Sequence, residues 1–358
     1  MKNYQRLGDY IRPVDVRNRD LKINLSQGIC NAKYFQNPKQ VADNPETHKV
    51  VRTGQFAYNR ATTRNGEKIS IALREGPDCT VSSAYQVFEI VDENQLDPKY
   101  LMMWFKRPEF DRLAIFYSHG SAHEFFEWDA MCEVRLPIPS IARQHEIVEE
   151  YETLSRRIRL NEQMIARLEE TAQALYRKMF VDGIDKENLP EGWRRGRLGE
   201  IAEVNSGKTC VDKSDIRDEL YQYPVAGASG VIGFSSTYNY DEKLMTTGRV
   251  GTLGVVNRYN QQMYMADNVL VVRSKYYEYC YQILTSLDYS EITKGGVQSL
   301  ITQTDLKESA IMIPPKDLLD SFEQQSLSIY LFVETKKQEN LKLTELQSLL
   351  LARMGKEN

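Results

Sequence analysis

The stretch RQHEIVEEYETLSRRIRLNEQMIARLEETAQALYRKMF, residues 143–180, contains no Pro or Gly and sets apolar residues at Ile147, Tyr151, Leu154, Ile158, Ile165, Leu168, Ala172, Leu175 and Met179. Their spacings alternate between four and three, the heptad rhythm of a coiled-coil seam. Asn161 is the polar member of the stripe, and a seam Asn either fixes register or partner or is simply tolerated. At ~1.5 Å per residue the helix is on the order of 57 Å long. A helix of that length needs another long helix to cover its apolar stripe.

Residues 318–354 supply one. They also lack Pro and Gly and carry a weaker stripe of Phe322, Ile329, Val333, Leu343, Leu346, Leu350 and Met354. Lys336, Asn340 and Gln347 stand where the first helix has Asn161, Ile165 and Ala172. An antiparallel pair is expected, with Ile147, Leu154, Ile158, Asn161, Ile165, Leu168 and Leu175 meeting Ile329, Val333, Leu343 and Leu350. Each helix has a Pro-containing entry, Leu136-Pro137-Ile138-Pro139 and Ile313-Pro314-Pro315, which stops the helix from growing backward.

The chain repeats itself around these helices. Arg6-Leu7-Gly8-Asp9 matches Arg197-Leu198-Gly199-Glu200 at an offset of 191 residues. Later the offset is 175, pairing Gly120 with Gly295, Phe125 with Leu300, Phe126 with Ile301, Glu133 with Glu308 and Pro139 with Pro314. The second copy is therefore 16 residues shorter somewhere in its middle. Strands are predicted within residues 68–73, 84–91 and 268–272, and short helices over 98–107, capped by Asp97, and 276–287. The polar, Gly- and Pro-containing residues 182–193 mark the boundary between copies. The expected fold is mixed α/β with a pseudo-two-fold repeat: domains at 1–140 and 188–315, and long helices at 141–187 (with linker) and 316–358.

Composition agrees with a globular protein. At 358 residues, 41% hydrophobic and 27% charged, the chain has room for two to three domains of roughly 150 residues. No stretch approaches the ~20 apolar residues of a membrane span, and MKNYQRLGDY has no apolar signal core. A cytoplasmic protein without membrane contact is expected. Five scattered cysteines, Cys30, Cys79, Cys132, Cys210 and Cys280, argue against a disulfide framework or a Cys-ligated zinc.

Enzyme motifs are incomplete. Ser206-Gly207-Lys208-Thr209 resembles the end of a phosphate-binding loop, but Ala202 occupies the position of its first Gly. Asp97-Pro98-Lys99-Tyr100 departs from the Asp-Pro-Pro-Tyr of amino-group DNA methyltransferases and reads better as a helix cap. Pro77-Asp78 with Asp97 and Lys99 loosely fits a nuclease metal pattern. His119 and His123 lack a third ligand at metal-site spacing. Gly248-Arg249-Val250-Gly251 is not a dinucleotide fingerprint. No catalytic residue and no bound metal are expected.

The net charge of −4 conceals a basic run in which Lys49, Arg52, Arg60, Arg64, Lys68 and Arg74 face one acid, Glu67. Such a run suits phosphates, or is a solvated loop balanced by nearby carboxylates. Two different heads on a rigid spacer suit a ligand with two separated, dissimilar sites, and duplex DNA is such a ligand.

These residues resemble the specificity subunit of type I restriction-modification systems. The carriers are Leu136-Pro137-Ile138-Pro139 with Arg143-Gln144 and Ile147, Leu168-Glu169-Glu170 in the long helix, and Leu189-Pro190-Glu191-Gly192-Trp193 before Arg197-Leu198-Gly199-Glu200-Ile201. The resemblance covers essentially the whole chain, which is compact for the family. It implies two target-recognition domains, each binding half of a split double-stranded DNA target, with the helix pair setting the gap. It also implies docking of two adenine methyltransferase subunits on the helices and, through them, two restriction subunits. S-adenosylmethionine, and ATP with magnesium, then belong to those partners, and this chain holds no cofactor. Leu160 and Phe332, beside the seam, are expected to be covered by the methyltransferase subunits.

DNA-contact candidates follow from residue chemistry: Arg reads guanine and Asn or Gln adenine, while Lys, Ser and Thr hold phosphates. In the first copy they are Arg52, Arg60, Thr62, Thr63, Arg64, Asn65, Lys68 and His123. In the second they are Ser229, Ser235, Ser236, Thr246, Thr247, Arg249, Lys294 and Gln298, with Gln298 matching His123 at the 175 offset. Other readings stay open at this point: a specificity subunit whose partner fuses methyltransferase and nuclease, a self-contained metal-dependent nuclease using Asp78, and a coiled-coil scaffold without a DNA role.

Overall fold

The computed structural model describes residues 4–38, 44–61, 68–118, 125–250, 252–293 and 300–355. The chain forms two units, one of Met1–Asn161 with Gln338–Asn358 and one of Glu162–Lys337. The fold is mixed α/β, and the two long helices, Ile141–Phe180 and Lys316–Met354, pack together.

The first unit is built on a four-stranded antiparallel sheet in the order Ile11–Val14, Tyr85–Ile90, Phe56–Asn59, Ile71–Leu73. Alternate side chains point to opposite faces of a strand. Phe56, Tyr58, Phe88 and Ile71 therefore join one core with the helices Pro98–Phe105 and Pro108–Ser118. Ala57, Val87 and Ala72 face the other way, onto the small sheet of Lys49–Val51 and Cys79–Val81. Phe56 stacks on Phe88 at 4.9 Å, and Phe105 meets both rings edge-on. Asp97 caps Pro98–Phe105 by accepting from Tyr100 N at 2.8 Å, as the sequence predicts.

The second unit repeats this plan. Its sheet runs Glu203–Ser206, Val269–Arg273, Tyr240–Gly248, Val256–Met265, then a hairpin of Tyr223–Gly227 and Gly230–Ser235. Helix Tyr277–Ser286 takes the place of Pro98–Phe105 at an offset of 179, and Gln303–Lys307 that of Trp128–Cys132 at an offset of 175. The equivalence extends to single bonds. Tyr100 Oη donates to Pro137 O at 3.0 Å, and Tyr279 Oη donates to Met312 O at 2.6 Å. Arg6 pairs with Glu133, and Arg197 with Glu308. Arg12 and Glu89 form a cross-strand ion pair at 2.6 Å; the same rung of the second unit carries Glu203 and Arg273 at 2.7 Å, with the charges exchanged. The long strands Tyr240–Gly248 and Val256–Met265 were not among the strands expected from the sequence, because polar residues interrupt their apolar alternation.

The helix seam is more regular than its sequence suggests. In the second helix one line of buried or half-buried positions runs through Phe322, Ser326, Ile329, Val333, Lys336, Asn340, Leu343, Gln347, Leu350 and Met354. This is an unbroken four-three rhythm, with polar residues at four of its positions. Leu346, expected in the stripe, is 49% exposed, and Gln347 holds the seam position instead. Two of the polar members, Asn340 and Gln347, find partners on the facing helix within the first unit, whereas Ser326 Oγ is buried without one. Asn161 Nδ2 donates to Asn340 Oδ1 at 2.9 Å, and Gln347 Nε2 donates to Ser155 Oγ at 2.7 Å. As the first helix advances from 155 to 161 the second recedes from 347 to 340, so the pair is antiparallel.

Asn161 is 2% exposed, so deleting its amide leaves Asn340 short of a buried partner. Asn161→Leu should cost roughly 1–3 kcal/mol. The double variant Asn161→Leu/Asn340→Leu should recover that loss, because two matched apolar groups leave nothing unsatisfied. Thermal melts of the three proteins check this; a single variant as stable as the parent would remove the amide pair from the account.

Candidate nucleic-acid interface

Much of the basic run of the first unit is committed to the fold. Lys49 is 8% exposed beside Asp15, and burial lowers its pKa. Arg74 is 7% exposed, donates to Pro77 O and Gln27 Oε1, and lies over the Phe35 ring. Nearby acids and ring faces thus absorb charge that the sequence leaves open. Arg52 and Lys68 are exposed. Thr62, Thr63, Arg64, Asn65 and His123 lie outside the described residues, as does His119.

Arg60 follows strand Phe56–Asn59, where Ala61 bridges Phe125. Its backbone O accepts from Phe126 N at 2.8 Å. Its guanidinium pairs with Glu127 at 3.3 Å, lies 5.3 Å from the Phe125 ring centroid and reaches Ala84 O at 3.4 Å.

In the second unit Arg249 follows strand Tyr240–Gly248, where Val250 bridges Leu300. Its backbone O accepts from Ile301 N at 3.0 Å, and its N donates to Asn268 O at 2.9 Å. Arg60 and Arg249 are therefore equivalent, 189 residues apart, between the early offset of 191 and the late one of 175. The 16-residue shortening is spread over several loops rather than taken at one.

The remaining candidates of the second unit separate by exposure. Thr246 and Thr247 are fully buried, because Tyr240–Gly248 is flanked by a strand on each side. Ser235 is also fully buried, its Oγ accepting from Thr237 N. These three were placed on contact stretches from their sequence; the sheet instead takes them out of reach of a ligand. Ser236 is held by Asp212, Ser229 is exposed, and Lys294 and Gln298 lie outside the described residues. Asn268 was not a candidate, yet it stands across the ladder from Arg249. The signal available was its place at the start of the strand predicted over 268–272.

Elsewhere in the second unit, a buried charge cluster ties the sheet to helix Tyr277–Ser286 and, through Tyr330, to the second long helix. Glu278 pairs with Arg258 at 3.0 Å and Lys243 at 3.5 Å. Lys243 Nζ sits 3.8 Å and 3.9 Å from the Tyr277 and Tyr330 ring centroids, and Arg258 lies 3.4 Å from that of Tyr281. Burial lowers the Lys243 pKa and raises that of Tyr277.

The side chains of the loose nuclease pattern serve local structure. Asp78 accepts from Thr53 N, Asp97 caps its helix, and Lys99 pairs with Glu152. Among the described residues no group of three or more His, Cys, Asp or Glu could hold a metal ion. None of the helices described is long and apolar enough to cross a membrane. On the long helices Leu160 is 50% exposed and Phe332 45%.

The model of the type I restriction modification DNA specificity domain matches residues 30–170 and again 190–350. The type I restriction enzyme MjaIX specificity subunit of Methanocaldococcus jannaschii is 21% identical over 328 residues, covering 79% of this chain and 73% of that protein. The HindI specificity subunit of Haemophilus influenzae is 19% identical over 427 residues, covering 93% and 92%. The crystal structure of a type I restriction-modification system S subunit from M. genitalium superposes with a TM-score of 0.58 at 13% identity, covering all of this chain and 97% of the other.

Proposed function

This chain belongs to the type I restriction modification DNA specificity family, matched twice along its length, and on that footing we propose that it is the DNA-recognition subunit of such a system, reading a split, asymmetric double-stranded target. The observation that carries this reading is the duplication itself. Two units share a sheet order, a helix position and individual bonds, yet differ at the sheet end that carries Arg60 in one and Arg249 in the other. A scaffold kept the same while its edges diverge suits two half-sites of different sequence.

Each unit supplies a rigid edge from which short segments reach the bases. Phosphate contacts from Arg52 and Lys68 would hold register without reading sequence. The helix pair would hold the interval between half-sites constant. Its exposed apolar residues, Leu160 and Phe332 among them, would be covered by two adenine methyltransferase subunits, which in turn would recruit two restriction subunits. S-adenosylmethionine would bind in the former, and ATP with magnesium in the latter. This chain would hold the flanking duplex while the partner takes the adenine out of the stack.

The test is a methylome. The chain is expressed with its neighbouring methyltransferase gene in a host lacking adenine methylation, and methyl-adenine is mapped by single-molecule sequencing. The expected product is two short defined blocks around a fixed unspecified gap. Exchanging residues 1–140 for another recognition unit should change one block and leave the other. A continuous motif, or a soluble complex that methylates nothing, would remove the reading.

A further inference from the structure

Arg60 and Arg249 occupy one position in two copies of the same sheet, but their surroundings differ in a way that bears on recognition. Glu127, which neutralises Arg60, is replaced at the 175 offset by Thr302. The Thr302 hydroxyl is already occupied, bonded to Asp305 Oδ2 at 2.7 Å in a helix cap. Phe125, over which Arg60 stacks, is replaced by Leu300, which has no ring face. Arg249 consequently has no ion pair among the described residues. Its Nε is buried without a hydrogen-bond partner, and so is Oδ1 of Asn268 across the ladder.

Arg249 thus carries a permanent charge at a half-exposed sheet edge, with no acid among the described residues to balance it, and such a charge suits a polar ligand. The chemistry of the pair narrows that ligand. A guanidinium fork matches O6 and N7 of guanine in the major groove, and a side-chain amide can pair with a neighbouring base edge. Arg249 is also fixed through its own backbone, donating to Asn268 O at 2.9 Å and accepting from Ile301 N at 3.0 Å. Base reading needs a rigidly placed donor, whereas a phosphate contact can be made from a flexible stem.

Resting on the function proposed above, we propose that Arg249, with Asn268 beside it, reads a guanine in the half-site bound by the second unit. Arg60 at the equivalent place is held by its own protein. The two units thus share a position for a reading arginine, and the acid at 127 or hydroxyl at 302 decides whether it is free. The asymmetry of the target begins in part at that residue.

The methylome of the assembled complex tests the assignment with Arg249→Ala and Arg249→Lys. One guanine position in one block should lose discrimination by on the order of 10- to 100-fold in both variants, because an ammonium carries the charge but not the fork. The other block should stay as in the parent. Arg60→Ala should cost less discrimination than Arg249→Ala. Should Arg249→Ala fail to assemble, Arg249→Lys decides alone. Unchanged discrimination in Arg249→Lys overturns the assignment, and so does an equal loss from Arg60→Ala. A parent without a split motif overturns the specificity reading and this assignment with it; a parent with one and an Arg249→Ala complex with the same one overturns this assignment alone.

Discussion

Removing residues 338–358 should unfold the first unit and leave the second standing. The segment belongs to the first unit although almost the whole sequence separates it from the N-terminal strand. Met354 is 1% exposed in the core that holds Phe56, Phe88 and Leu136, and Leu350 and Leu351 pack against the same core. Tyr4 Oη donates to Gly355 O at 2.8 Å. Truncating one buried Met to Ala costs about 2–5 kcal/mol, whereas a whole domain is stable by roughly 5–15 kcal/mol. Losing Met354, Leu350, Leu351 and the Asn340 partner of Asn161 together is comparable with that margin. Hydrogen exchange is the direct measurement. Amides of Phe56–Asn59 and Tyr85–Ile90 should lose protection, while those of Val269–Arg273 keep theirs. Protection retained in the first unit would mean that the C-terminal turns are an accessory to its core.

Glu278→Ala should be among the most destabilising single substitutions in the second unit. The Glu278 side chain is 4% exposed and compensates two cations, Lys243 at 3.5 Å and Arg258 at 3.0 Å. Breaking a buried ion pair by removing one partner costs about 3–5 kcal/mol, since the remaining charge keeps its desolvation penalty without compensation. Here two charges are stranded, with the Tyr277, Tyr281 and Tyr330 rings offering partial relief. The melting temperature of the second unit should fall by on the order of 10 °C. The triple variant Glu278→Leu/Lys243→Met/Arg258→Met should regain much of that, because it strands no charge. A fall within the roughly 0.5 kcal/mol typical of surface positions would show that water reaches the cluster and that it does not tie sheet to helix.

The first long helix was legible because its stripe is apolar at every seam position but one. The second was half legible. Its rhythm is just as regular, but Ser326, Lys336, Asn340 and Gln347 occupy seam positions, and Leu346 beside Gln347 draws the eye off the stripe. Ser326 leaves its buried Oγ without a partner, whereas Asn340 and Gln347 need the facing helix to complete their hydrogen bonds. Asn161 and Ser155 do so here, and no single helix sequence displays that pairing.

The contact edge was less legible than the frame. Thr246 and Thr247 read as a polar contact stretch, yet they lie in a central strand. The sequence left open whether Lys49 and Arg74 face phosphates or are balanced within the protein, and Asp15, Gln27 and the Phe35 ring occupy them. Polarity along the chain says which groups can bond, while exposure depends on which strands flank them.

By itself the sequence determined the duplication, the two long helices, the capped helix after Asp97 and the family. Each of these is carried by local periodicity or by motifs repeated in order, and neither depends on contacts across the fold. Tertiary structure alone decided that Arg60 and Arg249 are equivalent, that Glu127 pairs with one while the other has no ion pair among the described residues, and that Asn268 lies across the ladder from it. Those facts arise from a backbone bridge between segments far apart in the chain. Whether a charge at such a bridge is paired is set by whichever side chain the fold brings opposite it.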